Sequence, residues 1–216
     1  MIDETIELTE LEQDAIAELA NLGVSRAANS LRQLVGEQVL LSVPAVRIVS
    51  RQAAAALVER GTTRKLVGVQ QSFEGAFLGR ALLIFPETQS LELVRSIVGE
   101  HHSLEDVIDL EHEALAETGN IILNGCLATI ANSLHRTMRV SLPAVVRGSG
   151  ETLFDTRFGE ATDDLVLFLY INFAIRRRDI NGFIALLMDL PSILALKEIV
   201  REFVESLEKQ VGGYID

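Results

Sequence analysis

The sequence LEHEALAETGNIILNGCLATIANSL, residues 110–134, decides the fold that we expect, because an earlier part of the chain repeats it. Its apolar residues recur every three or four positions, which predicts a long helix. Residues 11–31, LEQDAIAELANLGVSRAANSL, carry the same pattern, and a shift of 99 positions aligns the two stretches. Under the same shift, SVPAV at 42–46 falls on SLPAV at 141–145. The sequence therefore predicts two related halves.

Each half follows the same order of predicted elements. A long helix comes first, two strands flank a proline, two longer strands follow, and a helix closes the half. In the first half the helices are predicted over about 8–34 and 87–99, and the strands over 39–50, 65–73 and 76–85. In the second half the helices are predicted over about 104–136 and 191–210, and the strands over 139–148, 164–175 and 182–190. No linker rich in Pro, Gly or Ser separates the halves.

The predicted fold class is α/β, with long helices packed on a mostly antiparallel sheet, because the strands are hairpin-like. We expect a single domain over residues 1–216, built from pseudo-two-fold-related halves of about 1–100 and 101–216. The halves differ in one place. Residues 51–60 predict a short helix, whereas residues 148–164 predict a loop or an extended stretch.

Composition excludes several classes of function. The net charge of −12 argues against nucleic-acid binding, and the one basic cluster, RRR at 176–178 before DING, is typical of a solvated hairpin turn. The acidic N-terminus is unlike a signal peptide. The apolar stretch 183–194 contains Asp189 and Pro191 and is too short to span a bilayer. We expect a cytoplasmic protein with no membrane insertion.

Three polar side chains do not fit the apolar face of the first predicted helix. Asp14, Glu18 and Asn21 are spaced four and three residues apart, and at about 100° per residue they share one narrow face. One such face is typical of an ordinary solvated helix. A Glu can pair with a partner's cation, and a carboxamide can hold a water molecule, since it both donates and accepts hydrogen bonds.

The repeat makes the solvated-face interpretation weaker. The second helix carries Glu113, Glu117 and Asn120 at the same spacing. A proline then follows each motif Asn at an equal distance, as Pro44 in the first half and Pro143 in the second. Solubility alone does not require the same side chains at the same positions twice, so a functional pair of sites is favoured.

The doubled pattern resembles the CheC family of chemotaxis phosphatases, which includes CheX and FliY, and within it CheC most. The resemblance extends over nearly the whole chain. It implies an enzyme that hydrolyses the aspartyl phosphate of a CheY-type response regulator. It also implies that Glu18 and Glu117 dock on a lysine of the regulator, while Asn21 and Asn120 orient the attacking water.

The remaining motif residues, Asp14, Pro44, Glu113 and Pro143, support the site in this interpretation. The regulator is expected to hold Mg2+, so this chain needs no cofactor of its own. The receptor deamidase CheD is a further candidate partner. The alternative function is a non-catalytic adaptor of the same fold that binds phosphorylated CheY, CheD or a flagellar switch component.

The sequence departs from the family pattern in two places. Glu113 occupies a position where the family usually has Asp or Ser. Ser25 and Arg26 replace the second Gly and the Asn of the usual run after the first motif Asn. We nevertheless expect Asn21 and Asn120 to lie exposed on their helices.

The sequence gives little support for a metal site, a phosphate-binding loop or a disulfide. His101, His102 and His112 lack the spacing of zinc-binding helices, so no metal site is predicted. GSG at 148–150 has no following lysine and is typical of a flexible turn rather than a phosphate loop. Cys126 is the one cysteine, so no internal disulfide forms.

Overall fold

The computed structural model describes residues 7–36, 38–60, 65–99, 103–155, 165–175 and 178–212. The elements in chain order are α1 (Glu10–Val35), β1 (Val39–Ser42), β2 (Val46–Ser50), α2 (Arg51–Val58), β3 (Leu66–Gly75), β4 (Gly79–Pro86), α3 (Glu87–Val98), α4 (Leu104–Ser133), β5 (Met138–Val140), β6 (Ala144–Gly148), α5 (Gly150–Leu153), β7 (Leu165–Ile175), β8 (Arg178–Met188) and α6 (Leu190–Gly212). The long helices and the strand pairs lie close to the predicted positions.

The strands described by the structure form one antiparallel sheet in which the two halves interlock. Hairpins β3–β4 and β7–β8 pair at the centre through β4 and β8. The short strands β1 and β2 pair with β7, and β5 and β6 pair with β3. Each half therefore completes the edge of the other half's hairpin, and the predicted fold class of two related halves with a mostly antiparallel sheet is confirmed.

Helices cover both faces of the sheet. The larger apolar core lies between one face and helices α1, α3, α4 and α6. On the other face, α2 and α5 cover a smaller cluster that includes Phe154 and Phe168. Helix α4 is long and apolar enough to cross a membrane by composition, but most of that stretch is buried inside the fold. Its apolarity is thus accounted for by its place in the core.

The two motif helices begin and cross in ways that the sequence explains. Helix α1 starts with a capping box, in which Thr9 and Glu12 bond each other's backbone N–H, and Ser103 and Asp106 form the same box on α4. The helices touch at Gly23, where an added Cβ would come within 2.7 Å of the Cα of Cys126. Glycine at this position therefore permits the backbones of α1 and α4 to approach closely.

Two local predictions are wrong. Residues 150–153 form α5 rather than a loop, because Ser149 caps the turn by accepting a hydrogen bond from the N–H of Thr152. Residues 179–181 belong to β8 rather than to a turn, and Ile180 is buried. The stretch DING is thus held by its pairing with β7, and residues 176–177 lie outside the described residues.

Candidate functional site

The first copy of the motif lies on α1, with its acidic side chains toward solvent. Asp14 and Glu18 are exposed, and Asn21 one turn further on is half-buried. The Asn21 amide is engaged with the backbone of Val43: Nδ2 donates to the carbonyl oxygen at 3.1 Å, and Oδ1 accepts from the N–H at 2.8 Å. The exposed Pro44 follows directly. In this half the Asn side chain therefore holds the turn before the proline.

The second copy lies on α4 and is bonded differently. Glu113 and Glu117 are exposed, and Asn120 is half-buried. Oδ1 of Asn120 accepts from Nε2 of Gln71 at 3.2 Å and from Nδ2 of Asn124 at 2.7 Å. Both contacts use the oxygen, and within the described part of the chain the amide nitrogen donates no hydrogen bond.

The proline loop of the second half is held without Asn120. The hydroxyl of Ser141 donates to the carbonyl oxygen of Leu142 at 3.0 Å, and Ser141 also exchanges two hydrogen bonds with the backbone of Ser72. Leu142 is 89% exposed, whereas Val43 at the same position of the repeat is 2% exposed. The half-buried Pro143 follows Leu142. An apolar side chain therefore projects into solvent beside the second motif.

The two halves also differ at one matched strand position. Val145 pairs with Val69 on β3, and Val46, its counterpart in the repeat, pairs with Leu169 on β7. Two residues further along these strands, Gln71 of β3 therefore corresponds to Ile171 of β7. Both side chains are buried, but only Gln71 can donate a hydrogen bond to the motif Asn.

Helix α4 also approaches its strand unusually closely. A Cβ added at Gly119 would come within 2.4 Å of the Val69 side chain, so only glycine permits this packing. The first helix has Ala20 at the matching position. The glycine lies next to Asn120 in the sequence, so the close approach helps to bring that amide within reach of Gln71.

The structure corrects one expectation about the site and adds one residue. The motif Asn side chains are half-buried rather than exposed, because each is bonded to the sheet side of its helix. The sequence analysis missed Gln71. The signal that could have found it was the pair of adjacent glutamines in the strand LVGVQQSF, because alternation in a strand points one of the two to the buried face.

The remaining candidates lie apart from this chemistry. Cys126 is buried, and burial raises the pKa of its thiol to about 12, so it is not a nucleophile at neutral pH. His101 and His102 lie outside the described residues, while His112 and His135 are exposed. Among the described residues, no three His, Cys, Asp or Glu side chains are grouped as metal ligands.

Comparison with known sequences gives a consistent set of relatives. No protein-family model matches the chain. It is 27% identical over 139 residues to CheC1 of Halobacterium salinarum, a match that covers 64% of this chain and 70% of that protein. It is 23% identical over 141 residues to CheC of Bacillus subtilis, which is named as a CheY-P phosphatase, with 64% and 67% covered.

Solved structures share the fold at low sequence identity. FliY of Thermotoga maritima matches with a TM-score of 0.71 at 17% identity, over 91% of this chain and 98% of that structure. CheX of Desulfovibrio desulfuricans matches with a TM-score of 0.50 at 17% identity, over 78% and 99%. The FliM middle domain of H. pylori has a TM-score of 0.59 at 9% identity, over 89% and 99%. With the sequence relatives, these matches confirm the resemblance to the CheC, CheX and FliY family.

Proposed function

We propose that this chain, a member of the CheC, CheX and FliY family, hydrolyses the aspartyl phosphate of a CheY-type receiver domain. The observation that carries the proposal is the geometry of the second motif. Glu117 is exposed on α4, and Asn120 lies one turn further along. The Asn120 oxygen accepts two hydrogen bonds, and among the described residues its N–H groups have no acceptor. A homologue that is named as a CheY-P phosphatase supports the same substrate class.

The carboxylate and the amide have separate tasks in this proposal. Glu117, and Glu18 in the first copy, would pair with a lysine of the receiver and place the phosphoryl group over the helix. Asn120 would donate a hydrogen bond to a water molecule and hold it in line with phosphorus. Positioning of this kind accounts for most of what a protein contributes to phosphoryl transfer.

The reaction balances without a nucleophile from this chain. The water oxygen forms a bond to phosphorus while the bond from phosphorus to the aspartate oxygen breaks. The aspartate is regenerated as a carboxylate, and the phosphate leaves as the inorganic ion with the proton that the water gives up. We assign Mg2+ to the receiver domain, where it would neutralise the charge on the phosphoryl oxygens. A reaction on this receiver would take place in the cytoplasm.

A second candidate function is that of an adaptor that binds phosphorylated CheY, CheD or a flagellar switch component without catalysis. The specific observation in its favour is the Asn21 amide, which uses both its oxygen and its nitrogen on Val43. A helix that keeps its exposed Glu18 while its Asn serves the fold is suited to docking. The fold is also compatible with docking, since FliM of the same fold is solved in a complex with FliG.

The test is the loss of phosphate from a phosphorylated CheY-type receiver of the same organism, measured with and without this chain. The proposal predicts faster loss that saturates with receiver concentration. A chain that binds the phosphorylated receiver but leaves its lifetime unchanged would support the adaptor. A receiver lifetime that is unchanged, with no binding, would contradict both functions.

A further inference from the structure

We infer that Gln71 is a positioning residue that orients the Asn120 amide and thereby makes the second motif the catalytic one. The inference rests on the proposed function and deepens it, because it assigns turnover to one of two sites that the sequence presents as equivalent. It concerns a residue of β3, outside the motif helices.

Gln71 joins the two parts of the second site. Its Nε2 donates to Oδ1 of Asn120 at 3.2 Å and to the carbonyl oxygen of Ser141 at 2.9 Å. The Ser141 carbonyl can only accept a hydrogen bond, so the nitrogen of the Gln71 amide must face it. The same nitrogen donates to Asn120, which fixes the Asn120 side chain with its oxygen toward β3. The N–H groups of Asn120 are then directed away from the strand.

The buried end of Gln71 indicates that the side chain is not present for stability alone. Gln71 is 1% exposed, and its Oε1 is buried without a hydrogen bond from the described residues. A buried acceptor without a donor lowers stability, so an apolar residue of similar size is the better choice for the fold. The matched position of the other half has that choice, Ile171.

The absence of such a donor behind the first motif has a visible result. In the first half, where the matched strand position is Ile171, Asn21 bonds the backbone of Val43 through both ends of its amide. With Gln71 behind it, Asn120 leaves the proline loop to Ser141. One strand residue therefore separates an amide that serves the fold from an amide held ready for a ligand.

The experiment replaces Gln71 by the residue of the matched position, Gln71→Ile, and by its isostere without an amide donor, Gln71→Glu. We expect each to lower kcat about fivefold or more with KM unchanged, since one hydrogen bond that orients Asn120 is lost. Gln70→Leu is the control, because it removes the neighbouring glutamine, which bonds Arg80 instead. It should leave kcat and KM as in the wild type.

A second readout is independent of turnover. The side-chain amide signals of Asn120 in a 15N-labelled sample should shift in Gln71→Ile, while those of Asn21 stay in place. If the wild type has no phosphatase activity, the proposed function fails and this spectrum still tests the positioning. The inference is overturned if kcat is unchanged in folded Gln71→Ile, or if the Asn120 signals do not move.

Discussion

The two motif helices carry nearly the same residues in the same register, yet their asparagines are used in different ways. Asn21 bonds the backbone of Val43 at both ends of its amide, and that residue is buried. Asn120 accepts two bonds at its oxygen alone, and Leu142 beside it is exposed. A motif read from the sequence thus gives the positions of the side chains, but their hydrogen-bond partners decide what those side chains can do.

The largest expected effect is on turnover when both amides are removed. Asn21→Ala combined with Asn120→Ala should lower the rate of receiver dephosphorylation by about 10²–10³, the usual result of losing a fixed hydrogen-bonding group that serves the transition state. Circular dichroism should confirm that the variant is folded. Near wild-type turnover in the folded double variant would show that neither amide is catalytic, and the adaptor would gain support.

The free energy of unfolding should fall more when the Asn of the first motif is removed than when the Asn of the second motif is removed. Asn21→Ala leaves the buried N–H and the carbonyl of Val43 without partners, which should cost about 1–3 kcal/mol of the free energy of unfolding. Asn120→Ala should cost about 1 kcal/mol or less, since Gln71 keeps its bond to Ser141. Urea unfolding of the two variants measures the difference. Equal losses would mean that the two amides are equally structural.

Docking should depend on both helices in a similar way, because Glu18 and Glu117 are both exposed. Glu18→Gln with Glu117→Gln should weaken binding of the phosphorylated receiver by about fivefold, as expected for an exposed ion pair of about 1 kcal/mol. The dependence of affinity on salt should flatten as well. Titration at two ionic strengths tests this, and an unchanged Kd at both would remove the docking role.

The last expected effect is confined to alkaline pH and concerns Cys126, which lies where the two helices meet. Burial raises the pKa of this thiol to about 12, so the folded protein should resist a thiol reagent at pH 8. The unfolded thiol ionises near pH 8.5. Between about pH 9 and pH 12 the folded state therefore holds a proton that the unfolded state has lost, and stability should fall by about 1.4 kcal/mol per pH unit from this group.

Cys126→Ala is the matched variant for that titration, since it removes the thiol and should remove its share of the alkaline loss of stability. Rapid labelling of the folded wild type at pH 8 would contradict the assignment. So would an alkaline unfolding profile that is the same with and without the thiol.

Much of the fold was predictable because periodicity and repetition are properties of the sequence itself. The spacing of apolar residues placed α1 and α4, and the shift of 99 positions predicted the related halves. The short helix α5 was missed because its single turn depends on the Ser149 cap rather than on periodicity. Residues 179–181 were assigned to a turn because their composition favours one, while pairing with β7 keeps them in a strand.

The site was predictable in position but not in bonding. The sequence placed Glu18, Asn21, Glu117 and Asn120 on helix faces, and the structure puts them there. Asn21 bonds Val43 in the loop between β1 and β2 of its own half, whereas Asn120 bonds Gln71 on β3 of the other half. Only the second contact depends on how the two halves interlock in the sheet. Gln71 of the first half stands behind the motif of the second half, so no local pattern could connect it with Asn120.

The most direct test of the central claim compares Asn21→Ala and Asn120→Ala as single variants in the same turnover assay. Rates from parallel sites add, so the loss in each variant reports the share of turnover from that site. We predict that Asn120→Ala removes most of the activity, while folded Asn21→Ala keeps most of it. Equal losses in the two variants, or a larger loss in folded Asn21→Ala, would contradict the conclusion that the second motif is the catalytic one.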